Sequence, residues 1–348
     1  MPDFASADED PSSTLLGMMR GYWVSQTIFV AARLGIADLL ADGPRPCASL
    51  AESTGLPERS VYRLLRALAS VGVFTEVGER EFGLTPLADS LRTDAAGSQR
   101  GSGIVMGELF YRAWDELLPS LRTESSQFDQ TFGTDLFSCL GANPELGSRF
   151  QDMMAGVNAS ANASVSSSYD FSEMSRVVDV GGGNGSLLAA VLGANPGLHG
   201  ALLELPEVLD EARPQLAAAG VADRCDLVGG DLLAATPTDP AVPAGYDAYL
   251  LRWVLHDFDD DRAVHILEQC RAGMPAQGRL LVVEQVLTAD EDPASWVSKF
   301  MDLHMLVLFG GQERTESEFR ELFRAAGFEL RRVIPTGPAL SILEAVPS

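Results

Sequence analysis

The residues best suited to chemistry sit at the ends of short apolar runs. Val178-Asp179-Val180-Gly181-Gly182-Gly183-Asn184-Gly185-Ser186 joins a run that reads as a strand to one that reads as a helix. Glycines at that junction let the backbone turn sharply and let a cofactor approach the helix start closely. The nicotinamide fingerprint needs glycine at the first, third and sixth positions; counted from Gly181 the sixth is Ser186, so the match fails at its packing glycine. Glu204 ends the next apolar run, where a carboxylate can accept both hydroxyls of a ribose, a feature shared by nicotinamide and adenosyl cofactors. His256 follows the run 248–251 and so falls beyond a strand's carboxyl end, where open parallel sheets bind ligands. An imidazole with an ordinary pKa of ~6.5 can take the proton of a phenol near ~10 as its oxygen attacks. His256, His304, Glu284, Asp302 and Glu313 also include the ligand types of a two-histidine, one-carboxylate metal site.

Such a crevice needs an alternating chain. After Phe171 the apolar runs 177–180, 201–203, 225–228, 248–251 and 280–284 alternate with helical patterns from 187, over 206–219, 262–272 and 315–326. Alternation of this kind means right-handed crossovers and a parallel sheet covered on both faces. Thr315 and Glu318 match a capping box and Gly327 a helix-ending glycine. The runs 328–334 and 340–346 flank Thr336-Gly337-Pro338 as a hairpin at the sheet edge. Earlier in the chain, residues 15–40 are helical until Gly43-Pro44. Residues 48–53, the turn Thr54-Gly55-Leu56-Pro57, and 58–71 then form a helix-turn-helix followed by a 74–84 hairpin. Helices continue over 96–168, interrupted near Gly133 and at Asn143-Pro144. The expected fold is α/β: a Rossmann-like, doubly wound parallel sheet with a C-terminal antiparallel hairpin, preceded by a mainly α, winged-helix-like N-terminal domain. The expected boundaries are 1–98, connecting helices 99–168, and 169–348.

Composition excludes several partners. The 348 residues carry a formal net charge of −24, which repels phosphate backbones and anionic lipid. Arg59, Arg63 and Arg66 lie on the second helix of the helix-turn-helix, yet against that charge they read as solvated or acid-paired rather than as DNA contacts. No apolar run reaches the ~20 residues of a membrane-spanning helix; the run 303–309 is short and sits beside Asp302. The opening 13 residues are acidic and rich in Pro, Ser and Asp, a solvated tail rather than a signal peptide. Cys47, Cys139, Cys225 and Cys270 are far apart and fit reduced thiols in a cytoplasmic protein. The sequons at Asn158 and Asn162 then read as chance products of an Ala/Ser/Asn-rich helix.

Five segments occur together in one order: D-V-G-G-G-N-G at 179–185, L-L-E-L-P at 202–206, Gly230-Asp231-Leu232, Arg252-Trp253-Val254-Leu255-His256-Asp257, and Gly310-Gly311-Gln312-Glu313-Arg314-Thr315. In this the chain resembles the plant-type (caffeate- and hydroxyindole-like) S-adenosylmethionine-dependent O-methyltransferases, and among them a bacterial, natural-product branch linked to antibiotic biosynthesis. The resemblance implies a homodimer formed through the N-terminal domain, S-adenosylmethionine as cofactor, and a small aromatic acceptor. It implies that Gly181 lies against the methionine part of the cofactor, with Asp179 and Gly183 in the same loop, that Glu204 holds the ribose, and that Asp231 and Leu232 border the adenine. Arg252 stands where the family often has Lys, keeping the cation but changing its geometry. His256 is then the general base and Glu284 and Glu313 the acids that flank it, a carboxylate on the far ring N–H fixing the tautomer. Asp302 falls near the acceptor, with Met301, Met305, Phe309, Trp253, Trp114, Phe150 and Met154 as pocket candidates. The family ordinarily needs no metal, which sets the two-histidine reading aside.

Three other readings make different predictions. Some relatives in that family catalyse hydroxylation or rearrangement, and product mass separates these from methyl transfer. A cofactor-sensing DNA-binding regulator would shift DNA at low salt. A nicotinamide dehydrogenase would bind reduced nicotinamide and not S-adenosylmethionine.

Overall fold

A computed structural model describes residues 10–234, 241–288, 296–337 and 340–348. It divides into two compact units, Met1–Arg112 with Phe137–Gly156, and Ala113–Leu136 with Val157–Ser348. Of the expected solvated tail, residues 1–9 lie outside the described residues. The rest is helical, because Asp10 accepts the Ser13 amide (3.2 Å) and Pro11 opens the first turn.

In the first unit, α1 (Pro11–Met19), α2 (Gly21–Arg33) and α3 (Ile36–Leu39) precede a short β1 (Arg45–Pro46). Next come α4 (Cys47–Thr54) and α5 (Glu58–Ser70), joined through Gly55 at φ +70°, and the hairpin β2 (Phe74–Gly78) and β3 (Glu81–Leu84). The three strands pair antiparallel in the order β1-β3-β2, which completes the winged-helix pattern. Val61, Leu65 and Leu68 of α5 recur at helical spacing and pack with Ile36, Leu50, Phe74 and Phe82 in one core. Arg59, Arg63 and Arg66 are exposed, and Arg66 lies over the Tyr62 ring.

The helical stretch is more broken than expected: α6 (Pro86–Asp89), α7 (Arg100–Val105), α8 (Tyr111–Trp114), α9 (Leu117–Thr123), α10 (Phe128–Phe132), α11 (Leu136–Ala142) and α12 (Pro144–Ser168). Between α7 and α8 the chain widens into a π turn, Met106–Phe110. A Cβ on Gly107 would lie 2.1 Å from Phe29 Cγ, so the close approach of that ring requires glycine.

The second unit carries β4 (Arg176–Val180), α13 (Ser186–Ala194), β5 (His199–Glu204), α14 (Pro206–Ala218), β6 (Cys225–Gly229), β7 (Ala248–Arg252), α15 (Asp260–Gly273) and β8 (Arg279–Glu284). It ends with β9 (Val286–Leu287), α16 (Trp296–Phe309), β10 (Arg314–Thr315), α17 (Glu316–Ala325), β11 (Phe328–Pro335) and β12 (Ser341–Pro347). The seven-stranded sheet runs β11-β12-β8-β7-β4-β5-β6, parallel from β8 to β6, with the expected C-terminal hairpin added antiparallel at one edge. Pro338 of the hairpin turn lies outside the described residues. Alternate residues of each strand fill opposite cores: Val178, Leu203, Tyr249, Leu251 and Val282 on the side of α15 and α17, and Val177, Leu202, Leu250, Leu281 and Val283 on the side of α13 and α14. Burial on both faces is why these strands read as unbroken apolar runs. The strand order reverses between β4 and β7, which opens a crevice at their carboxyl ends.

Candidate active site

The glycine loop begins at this switch point. Gly181, Gly183 and Gly185 all have positive φ (68°, 57° and 71°), and α13 starts directly after them. Nothing lies within 4 Å of a Cβ built on Gly183, so the loop has open space above it. Beneath it, Asp179 is 1% exposed, and neither of its carboxylate oxygens meets a donor in hydrogen-bond geometry. Burial pushes its pKa up to about 7, opposed by the nearby Arg252 cation. Glu204 closes the side of the loop: its Oε2 accepts from the Gly183 N–H at 2.9 Å and its Oε1 from the Leu205 N–H at 2.8 Å. Asp231 accepts from the amides of Leu233 and Ala234 (2.8 and 3.3 Å), which folds its loop into an Asx turn. Leu232 is held from α15, where the buried Gln269 donates to its carbonyl and accepts from the Ala241 N–H (3.2 Å). Gln269 was invisible as a positioning residue in the sequence, because nothing in a helical pattern tells a buried glutamine from a solvated one.

Arg252 is committed within the protein. Its Nη1 donates to Asn162 Oδ1 at 2.6 Å and its guanidinium lies over the Trp253 ring, 4.8 Å from the centroid. Burial lowers its pKa, while Asp179 and Glu284 act to raise it. Asn162 is only 6% exposed and donates to Ser186 Oγ (3.1 Å), tying α12 to the start of α13. The Asn162 sequon thus holds no open glycan acceptor: the side chain is a buried link between two helices and a strand end.

His256 lies across the switch point, on a single 3-10 turn, Leu255–Asp257, after β7. The turn is entered through Trp253 at φ +54°, a left-handed conformation rare for a bulky residue and typical of functional sites. Glu313 Oε1 is 3.0 Å from His256 Nδ1 and Glu284 Oε2 is 3.6 Å from it. A carboxylate only accepts, so Nδ1 carries the proton toward Glu313 and Nε2 is left as the basic nitrogen. Asp257 Oδ1 stands 3.5 Å from Nε2. Burial alone would lower the imidazole's pKa, but Glu284, Glu313 and Asp257 outweigh it and push it up to about 10. Burial in turn raises Glu284 to about 7 and Asp257 to about 6, against the attraction of His256.

The acids reach His256 through a contact no local pattern announces. β10 pairs parallel with β9, Arg314 opposite Val286, which brings the loop carrying Glu313 back beside the end of β8 and Glu284. Asp302 Oδ1 accepts the Glu313 N–H at 2.9 Å, so this residue holds Glu313 in place. Burial raises its pKa. Arg314 does not pair with Glu313. Its guanidinium donates to the carbonyls of Leu255 and Phe258 and to Asp260, each at 2.9 Å, clamping the turn that bears His256. A Cβ on Gly311 would fall 2.0 Å from His256 O, which makes that glycine obligatory.

Of the pocket candidates in the second unit, Met305 is buried, and Met301, Phe309, Trp253 and Trp114 are half-buried. Trp114 Nε1 donates to His304 Nδ1 at 2.9 Å, with the two rings stacked. Phe150 and Met154, both half-buried, lie on the part of α12 that belongs to the first unit. The side-chain ligand atoms of His256, Glu284 and Glu313 lie within 4.8 Å of one another, a set that could hold an ion. The second histidine, His304, is not part of that group, so the two-histidine set of the sequence is not assembled. His265 adjoins Gln269 and His199 is exposed at the start of β5.

Comparison with known proteins assigns the family. The O-methyltransferase domain family matches residues 114–329, and its dimerisation domain matches 16–94. A phenazine O-methyltransferase, PhzM, of Lysobacter antibioticus is 47% identical over 336 residues, covering 97% of this chain and 96% of that protein. The mitomycin biosynthesis 6-O-methyltransferase of Streptomyces lavendulae is 40% identical over 96% of this chain and 92% of its own length. Among solved structures, that of the mitomycin 7-O-methyltransferase MmcR has a TM-score of 0.89 at 37% identity, covering 97% of this chain and 98% of that one. A neocarzinostatin-biosynthesis O-methyltransferase, solved with S-adenosylmethionine and a naphthoic acid, has a TM-score of 0.82 at 34% identity over 93% and 96% of the two chains.

The fold and the crevice define a Rossmann-like methyltransferase. The chain belongs to the O-methyltransferase family with an N-terminal dimerisation domain; it uses S-adenosylmethionine and forms a homodimer. The loop suits that cofactor: an adenosyl sulfonium is cationic and carries ribose hydroxyls, and the crevice offers the carboxylate of Glu204, the orphaned carboxylate of Asp179 and space above Gly183. Among the described residues no helix is long and apolar enough to cross a membrane.

Proposed function

We propose that this enzyme methylates a phenolic hydroxyl of a small natural-product aromatic, with His256 as general base and Glu313 and Glu284 as the acids that hold it. The observation that carries the reading is the 3.0 Å contact between His256 Nδ1 and Glu313, which leaves Nε2 as the basic nitrogen. Bound S-adenosylmethionine supplies an electrophilic methyl group on sulfur. His256 Nε2 takes the hydroxyl proton as the oxygen attacks, and the imidazolium so formed is stabilised by Glu313, Glu284 and Asp257. Glu284, Glu313 and Asp257 raise the pKa of His256 against its burial, which strengthens the deprotonated ring as a base toward a phenol. Gly181, Gly183 and Asp179 form the cofactor cradle, Glu204 accepts the ribose hydroxyls, and Asp231 and Leu232 border the adenine. Arg252 borders the cofactor cradle, positioned by its Nη1 bond to Asn162. Met301, Met305, Phe309, Trp114 and Trp253 line the acceptor pocket.

Relatives named for antibiotic pathways, including the O-demethylpuromycin O-methyltransferase of Streptomyces alboniger, support the natural-product setting. Four free cysteines support a cytoplasmic location. Incubation with methyl-labelled cofactor and a panel of phenols, followed by mass spectrometry, tests the reading. A gain of one methylene unit on oxygen supports it; a gain of oxygen, an isomer, or methylation only on nitrogen rejects it.

A further inference from the structure

The last two turns of α12 follow the first two of α13 in register. Asn162 Nδ2 donates to Ser186 Oγ at 3.1 Å, and four residues further along each helix Ser166 Oγ donates to the Ala190 carbonyl at 3.4 Å. Residues four apart share a helix face, so the two bonds mark one seam. Val165, fully buried, packs in the core that also holds Leu187, Leu188 and Val191. Ser186 is the residue at which the glycine loop becomes α13, and its own N–H donates to Asn184 Oδ1 at 3.2 Å. Asn162 therefore fixes the exit of that loop.

The same amide reaches a second element. Its Oδ1 accepts from Arg252 Nη1 at 2.6 Å, at the end of β7. This strand end forms the other side of the switch point: a Cβ on Gly181 would lie 3.0 Å from Val254 Cγ2, and the Asp179 carboxylate beneath the loop acts on the Arg252 charge. Asn162 thus joins the two sides, with its donor on the loop and its acceptor on the cation. At 6% exposure it leaves little room for water to replace either bond, so loss of the side chain leaves a guanidinium and a hydroxyl each short of a partner.

We propose that Asn162 is a positioning residue for the cofactor, setting the affinity for S-adenosylmethionine by holding Arg252 in register with the glycine loop. The inference rests on the cradle assigned above to Gly181, Gly183 and Asp179 and adds the residue that keeps its two sides together. Asparagine suits the task because one amide donates and accepts at once, whereas a leucine of similar size does neither.

The test measures cofactor binding by calorimetry on the full-length dimer, beside steady-state kinetics. In Asn162→Leu, Kd and KM for S-adenosylmethionine are expected to rise about tenfold or more, as for a lost hydrogen bond to a charged group, with kcat at saturating cofactor within about threefold of the parent. Asn162→Asp still accepts from Arg252 and can accept from the Ser186 hydroxyl, and is expected to recover most of the affinity. In an Arg252→Met background the loss from Asn162→Leu is expected to shrink, because the guanidinium it places is gone. Ser186→Ala removes only the loop end of the link, does not depend on the leucine variant folding, and is expected to weaken binding about threefold or more. Unchanged affinity in Asn162→Leu or Ser186→Ala, an Asn162→Asp as weak as the leucine variant, or a loss of the same size with and without Arg252 overturns the inference. Glu204→Ala separates the two readings: if it weakens binding while Asn162→Leu does not, only the role of Asn162 falls, and if neither does, the cradle assignment falls with it.

Discussion

Glu284 hydrogen-bonds the backbone leading into His256, while Glu313 hydrogen-bonds its ring. Its Oε1 accepts the amides of Val254 and Leu255, both at 3.0 Å, while its Oε2 stays 3.6 Å from the imidazole Nδ1, beyond hydrogen-bond reach and without a partner. Glu313 makes the ring contact. The two acids therefore divide the work, one fixing where the turn sits and the other fixing which nitrogen is the base.

That division predicts different failures. Glu284→Ala strands two buried amides at ~1–3 kcal/mol each, so its Tm should fall sharply along with activity, while Glu284→Gln, which can still accept, should stay near the parent Tm. Glu313→Ala should leave Tm within a few degrees but lower kcat by ~10- to 100-fold, since the imidazole loses its orienting partner. Thermal melts beside steady-state kinetics check both; equal Tm losses for Glu284→Ala and Glu313→Ala would count against the assignment.

His256→Ala should lower kcat by ~10²- to 10⁴-fold, the usual contribution of a positioned general base. Calorimetry should find S-adenosylmethionine binding retained, because the base serves the acceptor.

Activity should rise with pH. With His256 pushed up to about 10, the unprotonated form grows through the alkaline range, and kcat/KM for a phenol should show an ascending limb above the ordinary imidazole value of ~6.5. Stability should move the other way. A histidine whose folded pKa exceeds its unfolded one adds stability that is full below ~6.5 and is lost as pH rises toward about 10. Denaturant unfolding of His256→Gln against the parent across that window reads the difference directly; a gap that widens with pH would contradict it.

Glu204→Ala should weaken cofactor affinity by about tenfold or more, since it removes the proposed ribose acceptor and leaves the Gly183 amide without its partner. Unaltered affinity by calorimetry would reject the ribose assignment.

Gly182→Ala should destabilise by ~1–3 kcal/mol through overpacking, because its Cβ would lie 2.5 Å from Asp179 Cγ and Oδ2 and from Leu202 Cδ1. The loss should shrink in an Asp179→Ala background, and a double-mutant cycle by denaturant unfolding measures that coupling.

The sequence by itself determined the sheet and its crevice. Apolar runs alternating with helical periodicity dictate parallel crossovers, glycines mark the turn after β4, and Glu204 and His256 each sit where a strand must end, so their addresses follow from local pattern. The capping box at Thr315 was legible in the same way, because its two members are three residues apart. What no local pattern contains is partnership across the chain. The β9–β10 pairing sets Glu313 against Glu284, Asp302 holds the Glu313 amide, Arg314 clamps the His256 turn, and Asn162 and Gln269 become buried links. These contacts join residues distant in sequence, and their strength comes from burial. A carboxylate or amide in water has solvent for a partner, and only the packed interior, by excluding that solvent, decides which protein group must take its place.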